Sequence, residues 1–430
     1  MSAIGRFAPA LALVLAGALT SCISNRPYRV TAPVLHETPP LYCPAGGAHY
    51  TLSFIEFDDM GELWDPGELQ SAIQTIRDAR DQAPLVVLFV HGWKNNASDK
   101  SGNVSGFRCE LGSIAARYQR NVIGVYFGWR GDITNVQFFK NFTFWNRINA
   151  ATRIPGAHMT DAIVTIMRET KENDRGGEAS LILVGHSFGG LVLERAVTQA
   201  LVERIEEAET ATSTAAGEFR FPADLVVFLN EAGPALQAKQ LLDTLYREGA
   251  EFSTEAGQRD PLLLSLTSKG DTATHLAFPG GQALSLYKVS LRKYLATGSD
   301  KAAPDEFGIA DQRTYYLHTA ANTDALQSHV IGRQDDPAVK AALAEGKAIY
   351  ATADLGGGRK FLIVPKAAAR NTTPYWIMQM PVEFVPDHST IFRPEFEALL
   401  IAFLDKRPDM MLRSKAASPP GPRLRRKASH

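Results

Sequence analysis

The stretch Leu181-Ile182-Leu183-Val184-Gly185-His186-Ser187-Phe188-Gly189-Gly190-Leu191 governs how the rest of this 430-residue chain reads. Its opening apolar residues have no polar alternates, as a strand buried on both faces requires, and such strands belong to parallel sheets covered by helices. Helical spacing follows over residues 191–207. Between the two lies G-x-S-x-G, with glycines where a tight strand-to-helix turn leaves no room for a side chain. That turn lifts Ser187 above the sheet and sets it at a helix N-terminus, whose partial positive charge favours a developing anion. Ser187 is the candidate nucleophile. A bystander serine in a glycine-rich turn is the alternative, and it accounts for neither flank.

Working outward, the same rhythm extends in both directions. Residues 50–57 alternate like an edge strand, and the spacing over 68–81 predicts a helix. Continuous apolar runs at 84–90, 121–127, 224–229 and 262–267 read as further buried strands. Helical spacing at 107–119, 158–171 and 235–247 separates them. Strands alternating with helices mean βαβ units, hence an α/β fold with a mostly parallel central sheet flanked by helices. Right-handed crossovers bring every strand's C-terminal end to one edge, where ligand chemistry occurs in open α/β sheets. After Thr267 the rhythm breaks. Residues 275–374, with strand-like runs at 314–317 and 361–364, read as an insertion before the last core strand and a candidate cap over the site. Residues 376–385 then read as that last strand and 394–404 as the last helix.

A nucleophile of this kind needs donors for an oxyanion, a base and an orienting acid. The first donor is the N–H after the serine, that of Phe188. The second comes from the loop after the earlier core strand, His91-Gly92-Trp93, and is assigned to the N–H of Trp93. His91 itself is assigned to fixing this loop. The base should follow the serine, where His275, His318, His329 and His388 are available. His388, in Val385-Pro386-Asp387-His388-Ser389 between the last strand and the last helix, is preferred; His318 and His329 read as packing or surface residues. Asp387 adjoins His388 and reads as a loop or N-cap residue. Asp271, just past the fifth buried run, is the favoured acid, and Glu231, just past the fourth, is its rival. The aromatic-rich segment 138–145 after Gly128-Trp129-Arg130-Gly131 reads as core packing or as a lid or acyl-binding wall.

Together these residues resemble the α/β-hydrolase superfamily, and within it bacterial serine esterase- or lipase-like proteins whose first long strand ends in an H-G-aromatic loop (here Val90-His91-Gly92-Trp93). The resemblance spans residues 50–404. It implies an α/β-hydrolase fold and a Ser–acid–His mechanism, here Ser187, Asp271 and His388, acting on small-molecule or lipid esters through an acyl-enzyme. No metal or organic cofactor enters such a mechanism. An acyltransferase would use the same triad, and a non-catalytic envelope protein could keep the fold for binding. The long stretch between Asp271 and His388 departs from the family pattern.

Bulk composition fits this reading. Hydrophobic residues make up 45% and charged residues 21%, the balance of a globular chain. A net charge of -1 argues against nucleic acid as partner, since phosphate binding needs a basic excess. Residues 1–22 read as a lipoprotein-type signal peptide. Arg6 supplies the positive region, an apolar stretch too short to span a bilayer follows, and Leu19-Thr20-Ser21-Cys22 resembles a lipobox. Cys22 is then the lipidation site, anchoring the chain in the cell envelope. Ile23 after it points to the outer membrane, with the domain facing the periplasm. Proline-rich residues 23–48 read as a tether, 49–405 as the hydrolase domain and 406–430 as a basic tail, either disordered or touching anionic headgroups. Of three cysteines, Cys43 and Cys109 remain, an even pair that forms either a disulfide or two buried thiols. Neither has metal-type spacing, so no metal site is read.

Overall fold

A computed structural model describes residues 26–29, 34–44, 46–131, 157–171, 179–210, 223–247, 260–286 and 304–406. The signal peptide with Cys22, the aromatic run 138–145 and the basic tail from 407 onward lie outside the described residues. In chain order the elements of the main layer are β1 (Val34–Glu37), β2 (Tyr50–Glu56), α1 (Pro66–Asp78), β3 (Leu85–Val90), α2 (Gly102–Tyr118) and β4 (Val122–Gly128). They continue as α3 (Ala157–Lys171), β5 (Ser180–His186), α4 (Phe188–Thr210), β6 (Leu225–Leu229), α5 (Ala235–Arg247) and β7 (Leu263–Ser268). A π-helical turn, Ala273–Ala277, runs into α6 (Phe278–Ser285), and α7 (Arg313–Leu317) follows. Then come β8 (His329–Gly332), α8 (Pro337–Ala344), β9 (Ala351–Asp354), β10 (Lys360–Pro365), β11 (Tyr375–Met380) and α9 (Pro394–Leu404).

Eight strands form one sheet in the order β1-β2-β4-β3-β5-β6-β7-β11. Only β1 is antiparallel to its neighbour; all other pairings are parallel. The strand residues alternate between two apolar layers, which is why the strands are apolar throughout. Val86, Leu88 and Val90 of β3 face one layer, with α1, α3, α4 and α5; Leu85, Val87 and Phe89 face the other, with α2 and α9. The chirality of crossovers explains which helix lies where. From β2 onward each connection between neighbouring core strands moves one way across the sheet except β3 to β4, which reverses. A right-handed crossover that reverses direction must cross on the opposite face, and α2, the helix of that reversed step, is the one found there. The reversal makes a crevice at the C-terminal ends of β3 and β5, the place where open α/β sheets bind ligands.

The region 275–374 takes a shape that periodicity did not foretell. Its strands β8, β10 and β9 form a separate antiparallel sheet, with Leu362 opposite Gly332 and Lys360 opposite Asp354. Ile331, Ala351, Phe361 and Ile363 bury themselves in the α2–α9 layer, and His329 stacks on Trp376 of β11 at 3.5 Å between ring centroids. Residues 314–317, expected as strand, are helical. The carboxylate of Asp311 accepts the N–H of Arg313 and its carbonyl accepts that of Thr314, which starts a helical turn that a run of four residues is too short to signal. The last core strand stops at Met380 instead of 385, because Pro381 has no N–H to continue a ladder.

The segment expected to be a tether is bound to the domain at several points. Glu56 accepts the backbone N–H groups of Tyr28 (2.9 Å) and Arg29 (2.6 Å). The Arg29 guanidinium sits 3.9 Å over the Phe54 ring, bonds the Ala97 carbonyl and pairs with Asp99. Strand β1 pairs with β2, and its Glu37 takes two bonds from Arg108 of α2. A disulfide joins Cys43 to Cys109, also of α2. Prolines at 39, 40 and 44 interrupt the apolar alternation, so these polar anchors leave little periodic trace. Among the described residues no helix is long and apolar enough to cross a membrane. The cross-link closes a 66-residue separation, so Cys109→Ser should lower the free energy of unfolding by about 2–4 kcal/mol. A urea titration at unchanged slope reads it as a lower midpoint.

Candidate active site

Ser187 leaves β5 with φ at 57°, a left-handed conformation that is uncommon for a residue with a Cβ. Its neighbours hold it there. The Ser187 N–H donates to Leu229 of β6 at 3.0 Å, extending the ladder one residue past the strand. The Ser187 carbonyl accepts the N–H groups of Gly190 (3.0 Å) and Ala232 (3.2 Å). Two glycines make the turn sterically feasible. A Cβ on Gly189 would lie 2.2 Å from the Val90 carbonyl oxygen, and one on Gly92 would lie 2.6 Å from the Ser187 Cβ. The loop after β3 therefore comes directly against the serine.

His388 and Asp271 meet this serine. The Ser187 Oγ is 2.7 Å from Nε2 of His388, whose Nδ1 is 2.8 Å from Oδ2 of Asp271. Proton accounting fixes the tautomer. An ionised carboxylate only accepts, so Nδ1 carries the hydrogen; in the neutral ring Nε2 is then the acceptor that faces the serine hydroxyl. Asp271 has no exposed surface, yet its charge is well served. Burial acts to raise its pKa, but hydrogen bonds from His388 and Thr274, with the field of His388, outweigh it and hold the carboxyl below its ordinary value. Its Oδ1 accepts the N–H of Ala273 (2.9 Å) and its Oδ2 the Thr274 hydroxyl (2.8 Å).

The loop that carries His388 is held by groups that the motifs did not single out. His186, the variable position of the elbow motif, donates from Nε2 to the His388 carbonyl at 2.8 Å. Asn230 donates from Nδ2 to the same carbonyl at 3.1 Å, while its Oδ1 accepts the Ser268 N–H. The Ser268 hydroxyl bonds the Val385 carbonyl. A signal was present: an Asn and a Ser that end otherwise apolar buried runs, and a histidine inside the motif, are polar groups with no reason to be buried unless they bond something. Asp387 folds onto its own loop, its Oδ1 accepting the N–H groups of Ser389 and Thr390 at 2.8 Å, as an N-cap-like carboxylate does.

The other candidate histidines make no bond to the Ser187 hydroxyl. His91 lies in the loop: Nδ1 donates to the Gly92 carbonyl and Nε2 accepts the Trp129 N–H, with the two rings stacked. Burial pushes its pKa down to about 4 despite those bonds, and burial reinforced by His388 pushes His186 down to about 3, so both are neutral at pH 7. His275 bonds the Asp271 carbonyl through Nδ1. His318 caps the C-terminus of α7, and His329 is buried against Trp376.

Glu231, the rival acid, is not brought to His388. Asn230, at φ 45°, turns the chain so that Glu231 packs under the elbow helix, where a Cβ on Gly190 would lie 3.1 Å from its Cγ. There it shares a buried site with Glu194 of α4, which accepts the Tyr375 hydroxyl at 2.8 Å. Burial, and then the neighbouring Glu194 charge, drive the Glu231 pKa well above 4.5.

The chain matches no protein-family model and none of the curated proteins compared with it. Among solved structures it is similar to "Phospholipase PlaB from Legionella pneumophila in complex with thio-NAD", at 10% identity and a TM-score of 0.24. The similarity covers 66% of this chain and 50% of that one, so this chain spans half the length of that protein. A likeness of that size carries no argument about activity, and the functional reading rests on the geometry of Ser187, His388 and Asp271.

A carboxyl whose pKa is raised by folding stabilises fully only below its unfolded value and loses that contribution as pH rises toward the raised one. Stability should therefore fall as pH climbs above about 4.5 through the window set by the Glu231–Glu194 pair. Glu231→Gln should flatten that slope and raise the melting temperature at pH 8 while leaving Ser187 reactive; loss of reactivity would return Glu231 to the acid's role.

Proposed function

We propose that this protein is a serine hydrolase of the α/β-hydrolase type that cleaves carboxylic esters. The observation that carries the reading is the hydrogen-bonded series Ser187–His388–Asp271 at the crevice end of the sheet. A hydroxyl bonded to an imidazole whose far nitrogen is held by a buried carboxylate is the arrangement that makes serine a nucleophile. The parallel sheet, with the serine on a strand–turn–helix elbow, supports the α/β-hydrolase assignment.

In this mechanism Ser187 Oγ attacks the ester carbonyl carbon as its proton passes to Nε2 of His388. The carbonyl π electrons move onto oxygen, and the oxyanion is received by the backbone N–H groups of Phe188 and Trp93. Asp271 stabilises the imidazolium without taking its proton. Collapse breaks the bond to the alkoxy oxygen, which leaves with the proton from His388. Water then gives a proton to Nε2, attacks the acyl-enzyme by the same path and releases the acid. We further propose that Cys22 is lipidated and holds the enzyme in the cell envelope, at the outer membrane facing the periplasm.

Ser187→Ala should abolish both turnover of short p-nitrophenyl esters and labelling by a fluorophosphonate probe. Wild-type protein that never takes the label would end the hydrolase reading. Asp271→Asn should cost on the order of a thousandfold or more in kcat by inverting the His388 tautomer. His388→Ala should be inactive and His329→Ala active, as steady-state assays of the two variants would show.

A further inference from the structure

The N-terminal segment docks on the same edge of the sheet that carries Ser187. Glu56, which accepts the Tyr28 and Arg29 backbones, is the last residue of β2. Ala97, whose carbonyl binds the Arg29 side chain, belongs to the loop that leaves β3 at its C-terminal end. Only four residues lead from Cys22 to Arg26, and an extended chain covers at most about 14 Å in that distance. A lipid on Cys22 therefore tethers this edge, and not the opposite one, close to the membrane surface.

Exposed apolar side chains mark the same rim. Met60 (58% exposed) follows β2; Leu276 (72%) and Leu284 (71%) follow β7 and Asp271; Val382 (46%) follows β11. Helix α6 stays at the rim, since Gln282 reaches the Tyr316 carbonyl and the His318 carbonyl, two residues on, accepts the N–H of Ala235, the first residue of α5 after β6. Val382 stands beside Gly270, next to Asp271. From β2 to β11 there are six strand spacings, so the rim extends about 29 Å with β5 and Ser187 near its middle. One such side chain alone is ordinary on a protein surface; these four share the rim that carries Ser187 and the docked residues 28–29. The anchor at the β2 end favours a bilayer over a protein as the occupant.

We propose that the Ser187 edge of the sheet lies on the membrane that anchors the chain, so that its substrates are ester bonds of lipids within that membrane. The substrate part rests on the hydrolase reading, and the orientation part on lipidation of Cys22. Docked in this way, Met60, Leu276, Leu284 and Val382 enter the headgroup–acyl boundary. A lipid then reaches Ser187 by a short lateral move without leaving the bilayer for water.

The test uses the full lipidated chain in vesicles of phosphatidylethanolamine and phosphatidylglycerol with brominated acyl chains. An environment-sensitive dye on Leu284→Cys should shift to the blue and be quenched. The same dye on Ile349→Cys should stay water-like, because the adjoining Tyr350 bonds Asp260, ahead of β7 at the opposite edge. Equal signals at the two positions, or a water-like dye at 284, would overturn the orientation. In unbrominated vesicles Leu276→Ser/Leu284→Ser should cleave phosphatidylglycerol about tenfold or more slowly, as expected from losing two buried leucines, with p-nitrophenyl butyrate turnover unchanged. Unchanged lipid cleavage, or an equal loss on both substrates, would overturn the membrane-facing site. If neither ester is cleaved by the wild type, the hydrolase reading fails, while the dye still reports the orientation.

Discussion

Holding a residue that bears a Cβ in the left-handed conformation of Ser187 costs about 1–3 kcal/mol, and the surrounding fold has to supply the restraint. The turn draws on three strands at once. Its N–H is taken by β6, its carbonyl by the start of α4 and by Ala232, and its following glycine presses on the end of β3. That pressure accounts for the glycine loop after β3 and for the close packing of α4 on the sheet. An elbow so restrained keeps the Ser187 hydroxyl in one place, which lets a single hydrogen bond from a distant loop complete the site.

That distant loop is fixed by its backbone more than by its side chains. His186 and Asn230 both bind the carbonyl of His388, and Ser268 binds that of Val385. The imidazole is thus presented by a loop hung from the ends of β5, β6 and β7. Burial keeps His186 and His91 neutral, so neither adds a positive charge to the buried surroundings of Ser187. Below the elbow the Glu231–Glu194 pair runs the other way. Two carboxyls in a dry site disfavour ionisation, and the fold tolerates them at a cost in stability that rises with pH.

The amino-terminal segment shows how polar contacts can do what a hydrophobic stripe does elsewhere. Arg29 and Arg108 share Asp99, Glu37 receives Arg108, and the disulfide closes the same patch on α2. These interactions bring residues 28–29 to the C-terminal edge of the sheet.

Several features follow from the sequence alone because they depend on short-range pattern. Buried parallel strands need apolar residues on both faces, so 84–90, 180–184 and 224–229 announce themselves, and the elbow needs glycines at set offsets from Ser187. His388 lies between a strand and a helix, so the sequence places it on a loop at the C-terminal ends of the strands, and its contact with Ser187 is one that the assembled sheet makes. The choice between Asp271 and Glu231 was not legible, since each carboxylate comes just past a buried strand. Tertiary structure decides only which of them lies beside His388: the left-handed turn at Asn230 sends Glu231 beneath α4, while the turn after Ser268 leaves Asp271 facing the imidazole. Contacts across 201 and 117 residues, from His388 to Ser187 and to Asp271, depend on strand order and on the reversal between β3 and β4. Local periodicity carries no record of strand order, so that part of the site exists only once the sheet is assembled.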